Sequence, residues 1–370
     1  MKCSLCGKDQ ALIAKILGVC PSCVREHPAE ALEISKEAHI SIRRQYNLPG
    51  LVPDGPKGVT CTVCANRCRI PPGELGFCGL RTNENGKLVH LAGTDVALVH
   101  TYIDPHPTNC CAWWCPAATG LGYPQYVNTP DCEYGFVNLA TFFYSCSFSC
   151  LYCQNPSHKD ISSGRKTRVE EFVNKALSDP RISCVCYFGG DGGGPHAPFS
   201  IRVSKELREQ TDRIMRICWE TNGIWRKDLM LNAAEIAYES GGNVKFDLKA
   251  PVSSKSPLNE ILSGTKNNQA YHNFEMVYNR IGAESDSKIP VQMATILLVP
   301  GYVDVPEVES IARFVGSLDP EIPLSLLIFH PQWNMRDLPI TPRKQALECR
   351  EAASRFCNNV HVGNLNLLLD

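Results

Sequence analysis

From residue 135 onward, apolar and β-branched runs alternate with stretches whose apolar residues recur at helical spacing. The runs at 137–144, 184–188, 217–220, 244–248, 291–299, 325–329 and 360–362 read as strands with helices between them, the order of a parallel α/β architecture. Helix starts carry capping chemistry: Thr167 with Glu170, Asp304 with Glu307, and Thr341 before Pro342 each offer an oxygen or a preset φ. Six or seven such units in about 235 residues predict a partial (β/α)6-type barrel, short of the closed eight-unit barrel of about 250 residues. An incomplete barrel leaves a lateral opening, which suits a large substrate such as a protein or peptide.

The earlier part of the chain is patterned differently. Residues 28–46 read as an amphipathic helix, and the turn-rich stretch from Leu48 to Pro56 reads as a linker. Three parts are expected: a zinc-ribbon-like module with its helix at 1–50, a cysteine-rich module at 51–134, and the barrel at 135–370.

Charge narrows the partners. With 37 basic and 38 acidic residues the formal charge is -1, so there is no long-range field for nucleic acid or an anionic membrane. No apolar run approaches the roughly 18 residues of a membrane span, and the start, Met1-Lys2-Cys3-Ser4-Leu5-Cys6, lacks a signal-peptide core. A cytoplasmic protein is expected. Twenty cysteines in such a chain point to metal rather than disulfides.

The thiols fall into groups. Cys3, Cys6, Cys20 and Cys23 form two C-x2-C knuckles at nearly the spacing of a four-cysteine zinc ribbon, with a cluster or free thiols as the other readings. Such a site staples a segment too short to build its own core. Cys61, Cys64, Cys68 and Cys78 bring four thiols into eighteen residues; structural zinc, an auxiliary iron-sulfur cluster and no metal all stand open. Cys110, Cys111 and Cys115, interrupted by Trp113 and Trp114 and followed by Cys132, read as a packed insertion with buried thiols or as a site particular to this chain. Asp104-x-His106 resembles the start of a cobalamin-binding signature, but the downstream glycine pattern is missing.

The group that organises the rest is Cys146, Cys150 and Cys153, spaced C-x3-C-x2-C directly after an apolar run. A [4Fe-4S] cluster takes four thiolates, so a loop offering three implies one iron with an open position; a structural zinc loop with a distant fourth ligand is the other reading. In a barrel, chemistry gathers at the C-terminal strand ends. Gly189-Gly190-Asp191, Glu220-Thr221-Asn222-Gly223, Asp247-Leu248-Lys249 and Ile328-Phe329-His330 all follow predicted strands. Singly, the glycines read as a turn, the charged residues as salt-bridged, and His330 as a structural histidine.

Together, in this order, these motifs resemble the radical S-adenosylmethionine (radical SAM) superfamily, and in particular pyruvate formate-lyase activating enzyme-related proteins of the AmmeMemoRadiSam type. The resemblance runs from about residue 61 to the end, including the stretch from Cys61 to Leu88 ahead of the core. It implies that Cys146, Cys150 and Cys153 hold a [4Fe-4S] cluster whose open iron binds SAM, with Tyr152 near the adenine and Gly189, Gly190 and Asp191 at the SAM amine. Lys249 would pair with the SAM carboxylate, Glu220, Thr221, Asn222 and Asp247 would bind ribose, ammonium or a cation, and His330 would lie beside SAM. Lys249 and His330 are the implied catalytic residues.

The implied activity is hydrogen abstraction from a protein or peptide by a 5'-deoxyadenosyl radical, with an electron donor such as ferredoxin or flavodoxin. Two specialisations follow from the same likeness: a glycyl-radical activase, and a protein C-methyltransferase that needs cobalamin as a second carrier. A non-catalytic iron-sulfur or zinc protein is the rival from another class.

Overall fold

The seven apolar runs are the parallel strands of one sheet. A computed structural model describes residues 1–108, 114–253, 256–285 and 289–368. Cys110, Cys111 and Trp113 lie outside the described residues.

In chain order the elements begin with α1 (Pro21–Glu26) and α2 (Pro28–Arg44), followed by two small hairpins, β1 (Val59–Thr60) with β2 (Arg69–Ile70) and β3 (Arg81–Glu84) with β4 (Lys87–His90). Next come β5 (Val96–Pro105), one turn of α3 (Pro116–Thr119), β6 (Val137–Phe143), β7 (Arg165–Arg168) and α4 (Val169–Ser178). The barrel proceeds through β8 (Ile182–Gly189), α5 (Ala197–Gln210), β9 (Arg216–Thr221), α6 (Lys227–Ser240) and β10 (Val244–Asp247). It closes with α7 (Leu258–Ser263), α8 (Asn268–Val277), β11 (Gln292–Leu298), α9 (Val305–Leu318), β12 (Leu324–Ile328), α10 (Arg343–Ser354) and β13 (Val360–Gly363).

The nine-stranded sheet has the order β13-β12-β11-β10-β9-β8-β6-β5-β7, so it remains an open, partial barrel. Neighbours from β6 to β13 pair in parallel, each reached through a helical crossover, and the central strands are buried on both faces as such a sheet requires. Among the described residues, no helix is long and apolar enough to cross a membrane.

Two strands were not expected. β5 and β7 extend the sheet antiparallel to β6, so the sheet draws on chain ahead of residue 135. β7 reads Arg-Lys-Thr-Arg and carries no apolar signature, because an edge strand is protected by charge.

This pairing also corrects a cap. Thr167 lies buried in β7 opposite Ala97, and Glu171 rather than Glu170 reaches back to the Arg168 N–H, at 3.5 Å. At α9 the expected box is present: Asp304 accepts from Val305 and Glu307 accepts from the Asp304 N–H at 3.0 Å. Thr341 does not cap α10. Its buried hydroxyl accepts from the Phe329 N–H at 2.8 Å and donates to the Leu298 carbonyl at 2.7 Å, joining the ends of β11 and β12.

The N-terminal residues share the main core with the barrel. Tyr302, after β11, accepts from the Ala14 N–H at 3.0 Å and donates to the Val19 carbonyl at 2.7 Å. Arg25 of α1 forks onto Glu307 at 2.8 and 2.7 Å.

Candidate active site

The cysteine loop leaves β6 through Ser145, a buried residue at φ 86°, in the left-handed region that disfavours side chains. Its N–H donates to the His158 carbonyl at 2.8 Å and its hydroxyl to the Cys78 carbonyl at 2.7 Å. Further along, the N–H groups of Ser149 and Leu151 donate to Ser263 and Leu262 at 2.8 and 2.9 Å. The loop is therefore held by backbone bonds from both sides.

The glycine-rich end of β8 presses on that loop. A Cβ at Gly190 would stand 1.9 Å from the Ser145 carbonyl oxygen, and one at Gly192 would stand 2.1 Å from the Tyr187 carbonyl oxygen. The close approach that glycine permits here is to the protein's own backbone.

Cys146, Cys150 and Cys153 all line one cavity of about 440 Å³ at the C-terminal strand ends, a volume within the range of small-molecule sites. Among the described residues, these three are the cysteines that line it. Cys146 accepts from the Phe148 N–H at 3.3 Å, and the Asn222 amide lies at 3.6 Å from the same sulfur. Burial raises the Cys146 and Cys153 thiols above their ordinary values.

Two buried cations stand nearby. Burial lowers Lys159, while the thiols of Cys153, Cys146 and Cys150 pull it back up; burial pushes Arg43 down to about 10, against the opposing pull of Cys78, Cys146 and Cys68. Cations placed beside soft thiols favour the deprotonated, metal-binding form.

Beyond the thiols, the cavity gathers Tyr152, Gly189, Gly190, Asp191, Glu220, Thr221, Asn222, Asp247 and Lys249. Asp191 is buried and accepts from Thr221 Oγ1 at 2.6 Å and Ser147 Oγ at 3.0 Å; burial raises it, and those bonds oppose the shift. Thr221 in turn accepts from Trp225 Nε1 at 2.7 Å. Tyr152 is buried with its hydroxyl 3.4 Å from Ser263 Oγ.

His330 lies elsewhere. It is solvent-exposed, lines no part of this cavity, and meets the site through backbone bonds to the Gln154 amide at 3.2 and 3.4 Å. The histidines on the cavity wall are His158 and His361.

Sequence reasoning missed Lys245. On β10 the side chains alternate, so Lys245 and Asp247 share the face that looks into the cavity, which Lys249 just beyond the strand also lines, and stepping back two positions from Asp247 would have found Lys245. Lys245 Nζ lies 2.8 Å from Glu220 and 3.7 Å from Asp247, and Lys249 Nζ lies 3.1 Å from Asp247. Burial raises Asp247, but Lys249 and Lys245 outweigh it and leave the carboxyl below its ordinary value. Phe148, Phe188, Thr295, Leu297 and Leu327 complete a wall that is part apolar and part polar.

This lining fits the groups that the loop implies. Three thiols suit a cluster with one open iron. Alternating lysines and carboxylates suit a zwitterion, and Phe148, Tyr152 and Phe188 offer apolar faces to an aromatic base.

The other thiols are sorted by geometry. The sulfurs of Cys3, Cys6, Cys20 and Cys23 all lie within 4.8 Å of one another, a set that could hold one metal ion. Cys61, Cys64, Cys68 and Cys78 line a separate, smaller cavity. Cys115 is buried with Trp114, Ala117, Ile289 and Met293 in a satellite core, and Cys132 is half-buried.

Residues 141–315 match the model of the family described as the radical SAM superfamily. "Uncharacterized protein MJ0808" of Methanocaldococcus jannaschii is 26% identical over 320 residues, covering 83% of this chain and 81% of that protein. "Putative glycyl-radical enzyme activating enzyme MJ1632" of the same organism is 25% identical over 225 residues, covering 59% of this chain and 77% of that protein. The family match spans β6 to most of α9, on a partial barrel whose strand ends gather three cysteines in one cavity, so residues 141–315 carry a radical SAM superfamily domain.

Proposed function

We propose that the protein is a radical SAM enzyme that abstracts hydrogen from a protein or peptide, a post-translational modification. The observation that carries the chemistry is the cavity itself, lined among the described residues by three cysteines together with Lys245, Asp247, Lys249 and Glu220. With a [4Fe-4S] cluster and SAM bound, such a site supplies one-electron reductive cleavage of the sulfonium and with it a 5'-deoxyadenosyl radical.

The chain's own residues do the rest. Cys146, Cys150 and Cys153 would hold the cluster, and Ser147, Asp191 and Thr221 fix the loop against the ends of β8 and β9. Lys249 and Asp247 would meet the charged groups of the methionine moiety, while Phe148, Tyr152 and Phe188 would keep water from the apolar side.

A macromolecular substrate is supported by the open sheet, which leaves a lateral way in. The name of the glycyl-radical activating relative favours the activase form of the reaction over methyl transfer.

Product analysis under anaerobic turnover with dithionite tests the reading. The activase form predicts 5'-deoxyadenosine with a persistent organic radical on the partner protein. S-adenosylhomocysteine formed beside 5'-deoxyadenosine, with cobalt retained, would replace it with the methyltransferase form.

A further inference from the structure

We infer that Cys61, Cys64, Cys68 and Cys78 hold a second iron-sulfur cluster, of the [4Fe-4S] type, packed directly behind the cysteine loop of the active site. The inference stands on these residues alone and does not need the radical chemistry proposed above.

Sulfur spacing separates this site from a zinc site. Four thiolates on one tetrahedral zinc, at a Zn–S distance of about 2.3 Å, stand only about 3.8 Å from one another. The N-terminal four meet that demand, being gathered within 4.8 Å. Among the described residues the middle four are not gathered so tightly; they stand around a cavity instead. A cubane spreads its thiolates because each takes a different iron.

The surroundings suit an anionic cluster in a dry pocket. The walls between the thiols are Val63, Ile70 and Phe77, and the Phe77 N–H already points to Cys68 Sγ at 3.5 Å. Arg81 lines the cavity, is 2% exposed, places Nη1 3.6 Å from Cys78 Sγ and has no partner for Nε. Arg43, 1% exposed, lies with its guanidinium carbon 3.5 Å from the Phe77 ring centroid. Arg43 donates to the Pro49 and Phe77 carbonyls, whereas the buried Arg81 guanidinium at the cavity wall is costly unless an anion beside it offsets the charge.

The site is also tied to the active-site loop. Cys78 accepts from Ser145 through its carbonyl at 2.7 Å, and Asn66 donates to the Ser147 carbonyl at 2.8 Å.

The test uses the full chain carrying Cys146→Ala, Cys150→Ala and Cys153→Ala, reconstituted anaerobically with iron and sulfide. About four iron and four sulfide per chain, with a [4Fe-4S]+ electron paramagnetic resonance signal on reduction, are expected. Cys78→Ser added to that background, which keeps an oxygen ligand and so guards against misfolding, should shift the signal. Replacing Cys3, Cys6, Cys20 and Cys23 should leave it. Zinc without sulfide, no metal at all, or a signal unmoved by Cys78→Ser but lost with the N-terminal cysteines would overturn the inference.

Discussion

Ser147 Oγ donates to Asp191 Oδ2 across 3.0 Å, joining the middle of the cysteine loop to the strand end that carries the glycine motif. Asp191 also takes Thr221 Oγ1 at 2.6 Å, so three strand ends meet at one carboxylate. Replacing it by alanine strands the buried Thr221 hydroxyl and leaves Ser147 Oγ only the Asn222 amide oxygen to donate to, at 3.3 Å. Asp191→Ala should cost about 2 kcal/mol of stability. Urea unfolding checks this, and an unchanged midpoint would mean that the carboxylate holds nothing together.

Gly190 makes a sharper test of the same contact. Gly190→Ala drives a methyl to within 1.9 Å of the Ser145 carbonyl oxygen, which neither backbone can avoid without moving the loop. Iron bound by the active-site thiols should fall severalfold in this variant. Measurement in a background lacking Cys61, Cys64, Cys68 and Cys78 separates it from any other iron.

The electrostatic chain on β10 predicts a binding defect. Lys249 Nζ stands 3.1 Å from Asp247, and losing one charge-assisted bond to a ligand costs about 1.5–3 kcal/mol. Lys249→Met should weaken SAM binding roughly tenfold to a hundredfold, read by equilibrium dialysis on the cluster-loaded protein. Lys245→Met should act indirectly, by letting the Asp247 carboxyl titrate at a higher pH.

Two buried histidines set an acid limit on stability. His39 Nε2 meets the Ile261 carbonyl at 3.0 Å and His196 Nε2 meets the Tyr144 carbonyl at 2.8 Å, while both Nδ1 atoms are buried without a partner. Burial pushes His39 down to about 4 and His196 to about 3. Above the ordinary histidine value of about 6.5 both states are neutral; as pH falls below it the unfolded chain takes up protons that the folded chain refuses. Stability should drop by about 2 kcal/mol per histidine between pH 7 and 5. His39→Gln keeps an N–H for Ile261 and should flatten part of that slope; an unaltered slope would remove His39 from the account.

Much of this was legible in the sequence because the signals are local. The parallel strands from β6 to β12 are largely buried runs and the half-buried β13 still alternates around two valines, while Asp304 with Glu307 is a complete cap within four residues. What the pattern hid is non-local. β7 looks like surface until β5 pairs with it, Thr341 looks like a cap until Leu298 and Phe329 claim its hydroxyl, and the polar Lys245 gains its meaning from Glu220 on the next strand. His330 follows its strand as the motif order suggests, yet the turn after β12 aims it at solvent and leaves His361 on the cavity wall.

The N-terminal module was the least readable part, since nothing in its knuckles says what they rest on. Tyr302 bridges Ala14 and Val19, so Tyr302→Phe leaves a buried N–H and carbonyl unsatisfied and should cost about 2–3 kcal/mol. Faster proteolysis ahead of α2 would accompany it.

The central claim rests on Cys146, Cys150 and Cys153, and the most direct measurement is 5'-deoxyadenosine released from SAM by the reduced, reconstituted protein and by its Cys150→Ala variant. The account predicts steady formation by the parent chain and none above background by the variant. Equal formation by both would contradict it.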